Sequence, residues 1–329
     1  MPKPDQSSLS SSKAVHPDGR VLRIATRESP LAMWQAEHVQ SLLASYVQTP
    51  QIVPMVSSGD VDMRPIDGKR SVGVFTKRIQ QALLEDEGDV AVHSMKDLPT
   101  EVHPSLVMIA SPERENVADS LVSPQAYSLD QLPKGAKVGT GSRRRAAQLL
   151  RERPDLDVQP IRGNVQTRLK KMTDGEYDAI VLASAGIERL KMSDLPRVEL
   201  PLEIMLPAPG QGALAIEVRS DDSSAMEIVS KINLPESNAC TLAERTLLSQ
   251  LHGGCLAPIA ALAVIDNQGI LRLSARVLSL EGTTCLEYTT EQAIKTDDDS
   301  WRSTAIELGK RASATLIDQG ARELIEAGR

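Results

Sequence analysis

Lys96 and Asp97 stand side by side where an apolar, β-prone run, Val90-Ala91-Val92, gives way to His93-Ser94-Met95, and Pro99 closes the segment. A buried strand of an α/β sheet ends in this way where its tip lines a ligand crevice. A cation there holds an anionic group. A carboxylate beside it donates a proton or stabilises a developing cation.

Other corners carry the same theme. Arg27 and Ser29 follow one apolar run; Thr140, Ser142, Arg143, Arg144 and Arg145 follow another; Arg162 follows a third, with Arg168 one helical turn on; Arg189 lies in a short helix after a fourth. Helix N-termini offer free N–H groups and partial positive charge, and arginines added there make bidentate carboxylate or phosphate sites. A single arginine after a strand is ordinarily a solvated surface residue; recurrence over several corners points to a ligand with many negative charges. Arg143-Arg144-Arg145 also reads as an exposed helix face or a weak nucleic-acid patch, and at 100° spacing the three cannot all reach one ligand.

Cys255 stands in Leu251-His252-Gly253-Gly254-Cys255. A free cysteine is usually a buried small hydrophobe, but two preceding glycines allow close backbone approach, so attachment or nucleophilic chemistry stays open. Cys240 and Cys285 read as packing residues, and His93 as packed or hydrogen-bonded. There is no Gly-x-x-x-x-Gly-Lys-Ser/Thr phosphate loop, no dinucleotide fingerprint with its downstream acid, and no histidine spacing suited to a metal.

Composition narrows the classes. The chain has 329 residues, 41% hydrophobic and 25% charged, with net charge −7 and three cysteines. That is ordinary for a soluble protein of two or three domains. Only 2% of residues are aromatic, so the core is aliphatic and stacking platforms for single strands are excluded. An acidic chain argues against general nucleic-acid binding. Few, scattered cysteines fit a reducing cytosol without disulfides, and no run of about 18 apolar residues spans a membrane. Residues 1–20, rich in Ser and Pro, read as a disordered tail, with a short transit peptide as the lesser alternative.

These corners need strands and helices to position them. Strands are expected at 21–26, 52–56, 89–94, 136–140, 158–161, 178–183 and 213–218, with helices from Pro30, over 75–84, 143–150 and 165–172, and after Ser184. Ser29 is a natural N-cap before Pro30. This alternation implies mainly parallel sheets. Residues 196–212, ending Pro-Ala-Pro-Gly-Gln-Gly, read as a crossing between lobes. Beyond about residue 235 the pattern changes to a helix over 240–251, three antiparallel strands near 258–265, 270–279 and 283–290, and helices over 300–327. Leu271, Leu273, Ala275 and Val277 alternate with polar neighbours, as in a half-exposed sheet.

In these motifs the chain resembles the porphobilinogen deaminase (hydroxymethylbilane synthase) family. The likeness runs from about Val21 to the C-terminal helices. It rests on Arg23 to Ala32, His93-Ser94-Met95-Lys96-Asp97, Val138 to Ser142 with Arg144-Arg145, Ile161 to Val165 with Thr167-Arg168, Pro209 to Ala213, and Gly253-Gly254-Cys255. The resemblance implies two lobes of the type II periplasmic-binding-protein kind, with mainly parallel mixed sheets. A small C-terminal α+β domain would follow, with a three-stranded antiparallel sheet. The implied boundaries are 21–112 plus 213–231, 118–206, and 235–329. It implies a cytoplasmic, monomeric transferase of tetrapyrrole, porphyrin and heme biosynthesis. Four porphobilinogen units would be deaminated and joined head to tail onto a dipyrromethane primer held as a thioether on Cys255. Hydrolysis would release hydroxymethylbilane.

By the same resemblance Lys96, Thr140, Ser142, Arg144 and Arg145 would hold the primer. Arg27, Ser29, Arg162 and Arg168 would hold the incoming ring, with Arg189 on the path of elongation. Asp97 would face the pyrrole nitrogens and help proton transfer as ammonia leaves. The chain departs from the family at Arg143, where Leu is common, at Gly141 for Ser and at His252 for Glu. Residues 57–75, which match a mobile loop, diverge most, so Lys69 and Phe75 are given no role. The alternatives are a non-catalytic two-lobed anion-binding receptor and, more weakly, a nucleic-acid regulator.

Overall fold

The computed structural model describes residues 19, 21–57, 73, 75–252 and 257–327. The tail before Gly19, Lys69 and Cys255 lie outside the described residues.

The first sheet has five strands in the order β2-β1-β3-β10-β4. β1 (Arg23–Arg27) runs parallel to β2 (Gln51–Met55) and β3 (Val90–Ser94). β10 (Leu214–Arg219) is inserted antiparallel between β3 and β4 (Leu106–Ala110). Helix α1 (Pro30–Leu43) begins as the sequence predicts: Pro30 occupies the first turn and Ser29 Oγ accepts from Ala32 N at 3.4 Å. Its Ala36, Val39 and Leu43 pack with Ile24, Val90 and Ile216. Helix α2 (Lys77–Leu84) covers the opposite face, with Ile79 and Leu83 against Ala25 and Ala91.

The second sheet repeats this build in the order β7-β6-β8-β5-β9. β6 (Lys137–Gly139) is parallel to β7 (Asp157–Gln159) and β8 (Ala179–Ala183). β5 (Asp119–Val122) runs antiparallel between β8 and β9 (Arg197–Glu199). Helices α3 (Arg143–Glu152), α4 (Val165–Thr173) and α5 (Ser184–Arg189) follow strand tips. Ser142 and Asn164 cap the first two with side-chain oxygens. Each sheet is therefore mixed and mainly parallel, as expected of type II lobes. The reversed strands β5 and β10 are the ones the chain enters on crossing between lobes.

Past α6 (Ser223–Ser230), a third unit carries β11 (Ile259–Ile265), β12 (Ile270–Leu278) and β13 (Cys285–Ala293), all antiparallel. Leu271, Leu273, Ala275 and Val277 turn inward against α7 (Pro235–Gln250), α8 (Ser300–Asp318) and α9 (Ala321–Ala327). Among the described residues no helix is long and apolar enough to cross a membrane.

The differences from expectation have local causes. β4, β5, β9 and α6 were not expected. β5 opens on Asp119, and β9 is a three-residue edge with charges at both ends, so neither shows a β-like run. Cys240 packs in the core, as expected, and burial pushes its thiol up to about 12. Cys285 does more than pack: Arg151 Nη1 donates to its Sγ at 2.7 Å.

Candidate active site

The strand tips of both lobes open onto one cleft of about 1550 Å³, whose lining includes Leu248, Ser249, His252, Ala257 and Ile259 of the third unit. Arg27, Ser29, Lys96, Asp97, Thr140, Ser142, Arg144, Arg145, Arg162, Arg168 and Arg189 all line it. The structure thus brings these eleven residues, expected from the sequence to hold ligand or do chemistry, to one cleft. Cys255 lies outside the described residues; His252 and Ala257, on either side of that stretch, both face the cleft.

Asp97 ends a single 3-10 turn, Met95–Asp97, that continues β3. The turn is tied to the crossing segment, since Met95 N donates to Ala213 O at 3.0 Å. Lys96 Nζ donates to Gln211 Oε1 at 3.3 Å. Burial and the neighbouring Arg145 charge lower the Lys96 ammonium to about 8, against the opposing pull of Asp97 and Asp119. A lysine so placed gains from an arriving anion.

Lobe 2 supplies the densest charge. Arg144 and Arg145 turn inward and are buried, while Arg143 remains half-exposed at the rim. Successive helical residues diverge, but Arg144 and Arg145 reach the same carboxylate, Asp119, from two sides. Arg144 Nη1 also donates to Leu206 O at 2.6 Å, and Arg145 Nη1 to Val181 O at 3.1 Å. Thr140 Oγ1 accepts from Ser142 N at 3.2 Å, and Ser142 Oγ from Arg145 N at 3.4 Å, which fixes the corner.

Arg168 Nε donates to Gly163 O at 2.8 Å, and burial with the Arg145 charge brings its guanidinium down to about 10. Arg189 is brought to about 10 by burial; its Nη2 donates to Gly212 O at 2.6 Å, and it lies 5.5 Å over the Trp34 ring. Arg27 stacks 4.4 Å over Phe75. Of the buried guanidinium nitrogens with no hydrogen-bond partner among the described residues, two, Arg144 Nε and Arg189 Nε, belong to arginines that line the cleft. Unsatisfied buried donors of this kind are costly unless a ligand uses them.

Sequence reasoning missed two residues of this network. Asp119 is fully buried and takes Arg144, Arg145 and, at 2.8 Å, Gln211 Nε2. Gln211 links that carboxylate to Lys96. The available signal was that clustered arginines in one corner need a counter-ion. Among the described residues no group of histidine, cysteine and acidic side chains is arranged to hold a metal.

Comparison with known proteins places this geometry. Residues 22–227 match the family model "Porphobilinogen deaminase, dipyromethane cofactor binding domain", and residues 238–318 match the C-terminal domain of the same family. A porphobilinogen deaminase of Legionella pneumophila (strain Lens) is 40% identical over 311 residues, 93% of this chain and 97% of that protein. The chain belongs to the porphobilinogen deaminase family. Solved structures of lower likeness include the BvgS VFT2 domain of Bordetella pertussis, 16% identical over 65% of this chain and 87% of that one, TM-score 0.39. An arginine transport periplasmic binding protein of Legionella pneumophila is 15% identical over 64% and 91% of the two chains, TM-score 0.38.

Members of the porphobilinogen deaminase family are transferases of tetrapyrrole synthesis that carry a dipyrromethane cofactor. The residues of this chain fit such a polycarboxylate. The cleft concentrates guanidinium groups in an acidic protein, leaves Arg144 Nε and Arg189 Nε unpartnered, and holds a lysine whose charge is disfavoured until an anion arrives.

Proposed function

We propose that this chain condenses four porphobilinogen molecules head to tail, releasing ammonia at each step, and frees hydroxymethylbilane by hydrolysis. The observation that carries the reading is the convergence of Asp97 and the cationic residues of five separate corners on one cleft. When bound, the dipyrromethane supplies the pyrrole carbon to which the first substrate ring is joined.

Lys96, Thr140, Ser142, Arg144 and Arg145 hold its carboxylates, with Cys255 as the covalent anchor. Arg27, Ser29, Arg162 and Arg168 receive the acetate and propionate of the incoming ring, and Arg189 meets the chain as it lengthens. Guanidinium groups suit this task because each binds carboxylate bidentately and stays charged. Asp97 is the acid on the turn that continues β3, set among these bases. It stabilises the positive charge that develops on the substrate as ammonia leaves, and moves the proton. In this reading the domains are divided at 21–112 plus 213–231, 118–206 and 235–329, and the protein works as a cytoplasmic monomer.

Intact mass tests the anchor. Protein from cells that make porphobilinogen should exceed its sequence mass by one dipyrrole unit, and Cys255→Ser should not. A bare wild-type mass, or a primed mutant, would sink the assignment. Ammonia release from porphobilinogen separates the enzyme from a receptor of the same fold, which would bind the ligand and release none.

A further inference from the structure

The turn that carries Asp97 is held by a residue of the third unit. Arg245, on α7, donates from Nη1 to Leu98 O at 2.8 Å and from Nη2 to Pro99 O at 2.7 Å. Pro99 has no N–H, so its carbonyl is the main-chain hydrogen-bonding group left at that end of the segment. At the other end Met95 N is bound to Ala213 O at 3.0 Å. Lys96 and Asp97 lie between these two attachments. The planar guanidinium suits the task, because its two arms can hold two carbonyls at once in fixed geometry.

The attachment is backed on lobe 1. Glu217 on β10 lies 3.0 Å from His93 Nε2 on β3 and accepts from Gln80 Nε2 at 3.0 Å. Burial opposes its charge, but His93, Gln80 and Arg245 together hold the carboxyl below its ordinary value. Arg245 therefore meets lobe 1 through two carbonyls, and its charge is also felt at Glu217. Its neighbour Glu244, fully buried, takes Arg114 Nη1 at 2.7 Å and Gly210 N at 2.6 Å, so adjacent residues of one helix reach the acid's turn and the crossing segments.

We propose that Arg245 is a positioning residue for Asp97, holding the acid's turn in place from the domain whose sequence also carries Cys255. The inference rests on the reading of Asp97 as the acid of the reaction. Arg245 touches no reacting group; it acts through the Leu98 and Pro99 carbonyls. Displacement of a catalytic group by an ångström can cost about 100-fold in rate.

The test uses the full-length, primed protein. Wild type, R245Q and R245K are compared for ammonia release, KM for porphobilinogen, intact mass and melting temperature. R245Q should keep the primer mass and a KM within about threefold, while kcat falls about 10- to 100-fold. R245K, which keeps the charge but serves one carbonyl at a time, should fall between wild type and R245Q. Wild-type kcat in R245Q overturns the proposal, as does a loss in R245Q that R245K does not relieve and that follows melting temperature. Should R245Q fail to fold, R245K decides: a lower kcat at unchanged KM supports the proposal, and a wild-type kcat or a raised KM overturns it. A wild-type protein that releases no ammonia overturns the enzyme reading itself.

Discussion

Asp119 Oδ1 takes two donors from Arg145, Nη2 at 2.6 Å and Nε at 3.1 Å, while Oδ2 takes Arg144 Nη2 at 2.8 Å. One acid on β5 thus fixes two consecutive residues of α3 before any ligand arrives. Burial disfavours the charged carboxylate, but the Arg145 and Arg144 charges and the Arg145 hydrogen bond outweigh it, holding the carboxyl well below the usual range. A corner organised in this way presents its remaining donors without reordering, which is how preorganised electrostatics favours binding.

Asp119→Asn should therefore destabilise the fold. Removing one member of a buried charge cluster costs about 3–5 kcal/mol. The folded carboxyl lies below its unfolded value of about 3.8, so its stabilisation is present above that pH and lost as pH falls through the folded value. Urea unfolding at pH 7 should show the deficit, and the gap to wild type should narrow below about pH 4. Equal stability at pH 7 would refute the role of Asp119.

Much of this site was legible in the sequence because strand tips have local signatures. Val90 to Ser94 followed by Lys96-Asp97, and Ser142 before three arginines, announce a strand end and a capped helix within a few residues. Asp119 and Gln211 were not legible. Each matters through partners far along the chain, 92 residues apart in their shared bond, and neither β5 nor the crossing segment has a periodic pattern. Arg245 was hidden in the same way, as one charged residue on a helix whose partners lie in another unit.

Lys96 should be a case in which function opposes stability. Its ammonium is lowered from 10.5 to about 8 by burial and by Arg145. The unfolded chain thus binds more protons between those values, so this group penalises folding below pH 8 and the penalty fades towards pH 10.5. In unprimed protein, Cys255→Ser, adding Lys96→Met should raise the melting temperature at pH 7. The gain should shrink as pH rises through 8, and a constant gain or a loss would contradict this account. In the primed enzyme the same change should remove one cationic contact from the covalently held polycarboxylate.

Gly212 should resist any side chain. Its φ is +84°, and a Cβ there would stand 2.4 Å from Glu115 O on the other crossing segment. Backbone cannot yield as a flexible side chain can, so Gly212→Ala should destabilise by more than about 1 kcal/mol. It should also raise the KM for porphobilinogen, because Gly212 O receives Arg189. A variant with wild-type stability and KM would show that the crossing tolerates separation.

Asp97→Asn offers the sharpest division between binding and chemistry. The amide keeps the size of the side chain and its place in the Met95–Asp97 turn, but it cannot take up a proton or present a full negative charge. The anion contacts belong to other residues, so the primer mass should persist and KM should change little. On the proposed reaction, however, the departure of ammonia would develop positive charge beside this position, and loss of a positioned acid–base group costs about 10²–10⁴-fold. The expected result is a folded, primed protein whose ammonia release falls by that factor. A fall in kcat/KM carried wholly by KM would instead make Asp97 a binding residue, and the proton transfer would then have to be assigned to another group lining the cleft, with Glu28 and Glu101 the acids available there.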